Sequence, residues 1–343
     1  KENMKNDLPP NELVLIEDVD EFKECYGKIE EKVIEYNESE VIIDYTSGTK
    51  TMTTSGAICS LLYHKDLTVV YGDRETNGMV SKGTEQIKTQ NLYRAYDKLL
   101  FDEFKKFFND FRFVAAVKNL QKIVSREDKK AYIKLAEAYR AWDLFNHVKA
   151  KEILTSREVS QLKGIKDTIS KNMAVLGPLA SPSQRNKSPQ LIADLLNNAK
   201  RRGAEKKYDD AVARLYRTVE LIAQCILKEK YGIDTSNIEI DKLSTLARSQ
   251  MQFKEGSTGK ITCGLQQSYK LLRIYDEEIG KKFSDDNKLK DLLKKRNYSI
   301  LAHGLNSIEK KEYEELLKKT IELANEAYPS VDSLMEKAEF PQL

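Results

Sequence analysis

The chain has 343 residues, 40% of them hydrophobic and 32% charged, and its basic and acidic side chains nearly cancel to a formal net charge of +3. That length supports two or three domains with ordinary cores, and the near-neutral balance excludes a bulk electrostatic claim on nucleic acid, so any such site must be local. No apolar run approaches the ~20 residues of a membrane span and no signal-like segment opens the chain, which predicts a cytoplasmic protein with no membrane partner.

In chain order, a polar entry with Pro9 and Pro10 leads to the apolar run 13–16, which predicts a short buried strand. Residues 20–36 place Phe22, Tyr26, Ile29, Val33 and Ile34 at helical spacing. A second strand is predicted at 41–43, a small-residue helix at 51–63 and a third strand at 67–71. This alternation predicts a parallel, doubly wound sheet, whose ligands bind at the carboxyl ends of strands. The turn from Ser47 to Thr51 sits at that position and opens a helix, so its backbone amides, the Thr49 and Thr51 hydroxyls and Lys50 suit a phosphate or nucleotide. A plain strand-to-helix turn with a solvated lysine satisfies the same residues. The phosphate-loop alternative fails, because Thr49 and Asp44 stand where a Walker A sequence requires glycine.

From residue 91 to about 171, aromatic residues including Tyr93, Phe104, Phe108, Phe113, Tyr139 and Trp142 recur at threes and fours, the spacing of packed helices. His147 reads as a packing histidine among them. Residues 176–189 carry Gly177, Pro178, Pro182 and Pro189 and predict a loop. Helices follow at 191–202 and 209–230, and on the second Arg217, Glu220 and Gln224 align beside the apolar stripe, either as an intrahelical ion pair or as the border of a cleft. Further helices are predicted at 265–279, 289–305 and 309–327, with a polar tail. Cys25, Cys59, Cys225 and Cys263 stand singly without metal-ligand spacing, consistent with reduced thiols.

Within 289–305, Arg296 and His303 are seven residues apart. On a helix that is two turns less about twenty degrees, with a rise of roughly 10 Å, so both project from one face. A permanently charged guanidinium that clamps phosphate and an imidazole that moves a proton form a workable pair for RNA cleavage. A surface Arg and a capping His near a helix end meet the same spacing.

Arg296, six residues beginning with Asn297, and then His303 resemble the Arg-polar-His signature of HEPN ribonucleases, and the helix Ala213-Arg214-Leu215-Tyr216-Arg217-Thr218-Val219-Glu220 is similar to the one that flanks their active site. Val41-Ile42-Ile43-Asp44-Tyr45-Thr46-Ser47-Gly48-Thr49-Lys50-Thr51-Met52 resembles the Asp-x-Thr-Gly-Gly-Thr-Lys-x-Met motif of CRISPR-associated Rossmann-fold (CARF) sensors. In this order the two motifs resemble the CARF-HEPN effector ribonucleases of type III CRISPR systems, and the match covers most of the chain.

The resemblance implies an α/β plus all-α fold: a Rossmann-like CARF domain at 1–90 lacking its first strand-helix unit, a helical connecting region at 91–175, a linker at 176–190 and a helical-bundle HEPN ribonuclease domain at 191–343. It implies a homodimer that cleaves single-stranded RNA without a metal or other cofactor, leaving 2',3'-cyclic phosphate and 5'-hydroxyl ends. Arg296, His303 and Asn297 would be catalytic, with Arg217 and Glu220 supporting. Cyclic oligoadenylate would activate the enzyme allosterically from Thr46, Ser47, Gly48, Thr49, Lys50 and Thr51, although Ser47 replaces the first glycine of the sensor motif. A non-catalytic nucleotide-sensing protein, and a sensor that degrades its own activator, are the alternatives.

Overall fold

A computed structural model describes residues 13–76, 78–182, 187–251, 261–301 and 304–343. These described residues fall into two compact units, one within Lys1–Phe104 and Lys118–Lys129, the other within Lys105–Val117 and Lys130–Leu343.

The first unit begins with α1 (Phe22–Glu35), β1 (Ile42–Asp44), α2 (Lys50–Leu62), β2 (Asp66–Tyr71) and β3 (Gln86–Gln90). The strands are ordered β1-β2-β3; β1 and β2 are parallel, with Ile43 opposite Leu67, whereas β2 and β3 are antiparallel, with Val69 opposite Lys88. The strand-helix-strand unit is the expected one, but a wholly parallel sheet is not formed. The third strand, Gln-Ile-Lys-Thr-Gln, leaves Ile87 75% exposed. Its place comes from hydrogen bonds to β2 rather than from an apolar run, so its sequence gave no strand signal. The strand expected at 13–16 is absent: Leu13 and Leu15 are exposed, and just beyond them the Glu24 carboxylate accepts from the Glu17 and Asp18 amides at 2.6 and 3.0 Å. An apolar run without a neighbouring strand edge has no ladder to join. Across α1 and α2, Glu30 accepts from the Tyr26 and Tyr63 hydroxyls at 2.7 and 2.6 Å.

Helices α3 (Tyr93–Asn109) and α4 (Phe113–Gln121) each contribute to both units. The second unit continues through α5 (Lys129–Asp143), α6 (His147–Leu154), α7 (Arg157–Ser160), α8 (Lys166–Leu179), α9 (Ser188–Ala204) and α10 (Tyr208–Tyr231). After these come α11 (Thr245–Gln250), α12 (Leu265–Ile274), α13 (Glu278–Asp285), α14 (Asn287–Asn297), α15 (Lys310–Ala327) and α16 (Val331–Lys337). The loop expected at 176–189 is shorter than its Gly and Pro content suggested: Gly177 and Pro178 lie in the last turn of α8, and Pro189 occupies the first turn of α9, where a missing amide costs nothing. The single helix expected at 265–279 is two, α12 and α13, reversed at Asp276 by a left-handed backbone (φ 63°). The expected polar tail is instead α16, with Val331, Met335, Ala338 and Phe340 buried.

The aromatic spacing of the middle region is core spacing. Phe108, Phe113, Tyr139, Trp142 and Phe340 form one ring cluster, and Tyr139 donates to Asn172 at 2.7 Å. Trp142 and His147 both bond the carboxylate of buried Asp194, at 2.9 and 2.8 Å, which confirms His147 as a satisfied packing residue. Asp143 at the end of α5 pairs with Arg201 at 2.7 Å and with Arg202, fastening α5 to α9. Around central α10 pack α9, α12, α14 and α15, whose Leu196, Leu215, Val219, Tyr269, Leu293 and Leu316 are buried together. Among the described residues no helix is long and apolar enough to cross a membrane. Cys25, Cys59 and Cys263 are buried free thiols, and Cys225 is half-buried.

Candidate functional site

Helix α14 starts where Asp286 accepts from the Leu289 amide at 2.9 Å and from Lys319 at 2.8 Å. Its Leu289, Leu292 and Leu293 are buried in the bundle, which leaves Lys294 and Lys295 exposed and Arg296 half-buried in the last turn. The helix ends at Asn297. The Tyr298 and Ser299 amides close it by bonding the Lys295 and Arg296 carbonyls, and a tight loop follows in which Gly304 donates to Ser299 at 3.3 Å and Asn306 to Tyr298 at 3.1 Å.

The expectation that 289–305 is one helix is therefore corrected: α14 ends at Asn297. The loop is set by close backbone approach, because a Cβ on Gly304 would lie 2.0 Å from the Tyr298 carbonyl oxygen. His303 itself lies outside the described residues.

Arg296 is the least neutralised cation of its run. Lys295 is paired with Glu312 at 2.5 Å and Lys294 with Asp291 at 3.5 Å. The Lys295 ammonium pushes the Glu312 carboxyl below the usual range, and that carboxylate in turn pushes Lys295 upward. By contrast, no carboxylate among the described residues pairs with Arg296. Its guanidinium lies 4.7 Å from the ring centre of Tyr216 on α10, a cation–π contact that positions the charge without cancelling it. Its Nη1 makes a long 3.4 Å bond to the Asn297 amide oxygen. Two buried groups, Arg296 Nε and Ser299 Oγ, have no hydrogen-bond partner among the described residues. Buried polar groups are ordinarily satisfied, so this is a site provided with unused donors.

On α10, Arg217 Nη1 donates to Glu220 at 3.0 Å and to Gln224 at 2.8 Å, the intrahelical line expected from their spacing. Arg217 follows Tyr216 directly on α10, about 100° further round the helix. Tyr216 and Ser299 were not singled out from the sequence as site residues; Tyr216 is eighty positions from Arg296, and only packing of α14 on α10 reveals their contact. Next to Arg296, the loop exposes Tyr298, Ile300, Leu301 and Leu305, the last 89% accessible. Among the described residues no group of three His, Cys, Asp or Glu side chains gathers to hold a metal ion.

The second candidate site, in the first unit, is the β1–α2 turn. Thr46 donates its amide to Asp44 at 2.7 Å, while its hydroxyl accepts from the Val70 amide at 2.7 Å. Gly48 takes φ 129°, a backbone that side chains disfavour. Thr49 caps α2 by accepting from Met52 at 3.2 Å and donates to the Val19 carbonyl at 2.6 Å; Thr51 reaches the Asp20 carbonyl at 3.4 Å. The Thr49 and Thr51 hydroxyls, expected as donors to a ligand, here donate to the segment before α1. Ser47, Gly48 and Lys50 remain exposed at the start of α2.

Residues 181–327 match the family described as the Csm6 HEPN domain, and residues 96–175 the family described as the Csm6 6H domain. The structure is similar to that of Enterococcus italicus Csm6 bound to cyclic hexa-2'-fluoro-hexa-dAMP, with a TM-score of 0.65 at 12% identity over 95% of this chain and 82% of that one. No curated protein sequence matches the chain.

Proposed function

We propose, from the premise that this chain belongs to the CARF-HEPN effectors of type III CRISPR systems, that it is an endoribonuclease of single-stranded RNA regulated by cyclic oligoadenylate. The observation that carries the reading is Arg296: a half-buried guanidinium held on Tyr216, without a carboxylate partner among the described residues. Such a fork is matched in shape and charge to a phosphodiester.

In the proposed step the 2'-oxygen of the RNA attacks the adjacent phosphorus, its proton leaving to a base. The new phosphorus–O2' bond replaces the phosphorus–O5' bond, and the departing 5'-oxygen gains a proton, leaving a 2',3'-cyclic phosphate and a 5'-hydroxyl. Arg296 stabilises the negative charge that builds on the phosphoryl oxygens. His303, assigned from its motif position, transfers a proton at the attacking or leaving oxygen. Asn297 holds the Arg296 fork, and Arg217 with Glu220 borders the same helix turn. Because the reacting hydroxyl belongs to the substrate, the step requires no metal-bound water.

Two copies are proposed to join through Tyr298, Ile300, Leu301 and Leu305, whose exposure next to Arg296 suits an isologous contact that pools two sets of catalytic residues. The activator is proposed to lie on the β1–α2 turn, where Lys50, Ser47 and the amides around Gly48 offer cation and donors to phosphate. Cleavage of labelled RNA in EDTA, with and without cyclic oligoadenylates of different ring size, tests the reading. Activator-dependent cleavage is expected from the wild type, with a loss of at least a hundredfold in Arg296→Ala and His303→Ala. Undiminished cleavage by either variant removes that residue from the site; binding of activator without any RNA cleavage would make the chain a sensor only.

A further inference from the structure

Along α10, from Arg217 to Glu229, lies a cavity of about 630 Å³. Arg217, Leu221, Gln224 and Lys228 line it at steps of four, three and four, the register of a single helix face. Opposite them, the chain leaves α10 and folds back, the Ile233 amide donating to the Leu227 carbonyl at 3.1 Å, so that Ile233 to Ser236 form the other wall. Leu221 and Ile233 are buried and give the cavity an apolar floor.

Its polar groups are held in fixed roles. The Gln224 carbonyl oxygen accepts from Arg217 at 2.8 Å, which orients its amide nitrogen as a donor, and that nitrogen has no acceptor among the described residues. Asp234 accepts from the Ser236 hydroxyl and amide at 2.6 and 3.0 Å; these bonds hold its carboxyl below the ordinary range, so it stays an acceptor at neutral pH. Lys228 stands at the rim, 3.6 Å from Asp234. Glu229, the other acid of the lining, is occupied by Ser188 and by the Tyr328 hydroxyl at 2.8 Å.

Two cations against two acids make a nearly neutral cavity, which argues for hydrogen-bond recognition over electrostatic tracking. A floor for a ring face, a fixed donor and a fixed acceptor are the components that read a base edge. We propose that this cavity binds one nucleobase of the RNA substrate. Gln224 donates to a ring nitrogen and Asp234 accepts from an exocyclic amine, while Arg217 and Lys228 hold the flanking phosphates. Adenine and cytosine present that donor–acceptor pair; uracil does not. The inference rests on the RNA-cleavage reading for the identity of the strand.

Binding and cleavage are measured separately. Fluorescence anisotropy with short 2'-O-methyl homo-oligomers of adenosine, cytidine and uridine, which cannot be cut, should show the full-length protein binding the first two about tenfold more tightly than the third. Gln224→Leu should erase that difference. Lys228→Glu should weaken all three alike and flatten the salt dependence by about one counterion. Equal affinity of the wild type for all three oligomers, or unchanged discrimination in Gln224→Leu, overturns the inference even if the protein cleaves RNA. Discriminating binding without cleavage by the wild type would instead uphold the cavity and sink the ribonuclease reading.

Discussion

The Arg296 guanidinium rests 4.7 Å over the ring of Tyr216, so the end of α14 is registered on α10 by a contact between charge and π-face rather than by an ion pair. This contact fixes the fork and preserves its positive charge. Removing the ring should therefore cost catalysis more than folding. Such contacts are worth ~0.5–2 kcal/mol, which corresponds to a loss of roughly two- to thirtyfold in single-turnover cleavage for Tyr216→Leu, at ~1.4 kcal/mol per tenfold. Tyr216→Phe keeps the face and should stay close to wild type.

Gly304 should be intolerant of any side chain. A methyl group there meets the Tyr298 carbonyl oxygen at 2.0 Å, and the carbonyl carbon at 2.4 Å. Overpacking of this kind costs about 1–3 kcal/mol. Since the loop is at the surface of the bundle, Gly304→Ala should keep the helical circular dichroism of the wild type while cleavage falls by more than tenfold. Equal activity of the variant would separate the loop's geometry from catalysis.

The β1–α2 turn holds both an exposed lysine, proposed to meet the activator, and a structural threonine. Lys50→Ala should weaken cyclic oligoadenylate binding in calorimetry with little change in thermal midpoint, because the lysine is exposed. Thr49→Val should do the reverse: its hydroxyl caps α2 and bonds Val19, and losing a cap costs about 1 kcal/mol.

The Lys295–Glu312 pair ties α14 to the start of α15, and its pH dependence has a definite sign. The Glu312 carboxyl is depressed by Lys295 and by the Glu309 amide, so its contribution is present above the unfolded value of ~4.3 and disappears as pH falls through the lower folded value. Lys295 is raised by Glu312, so its share persists below ~10.4 and is lost in more alkaline solution. Glu312→Gln should be less stable than the wild type at pH 7, and the gap should close at pH 3 in denaturant titrations. A gap of the same size at both values would show that the pair contributes nothing.

By itself the sequence determined the classes of structure and the chemical types at both sites. Apolar spacing at threes and fours located the aromatic core around Tyr139 and Trp142 and the stripe of α10, because burial acts on side-chain pattern. The strand-helix turn at Gly48 was legible from its local chemistry, as was the Arg217–Glu220–Gln224 line. Tertiary structure alone decided where helices stop and which distant residues meet. β3 has no apolar pattern and exists through its ladder with β2. α14 ends at Asn297 because the chain folds back on Tyr298, and Gly304 admits that contact only through atoms far from the helix pattern. The placement of Arg296 on Tyr216 follows from packing of segments distant in the chain, where the energy of contact exceeds any local preference.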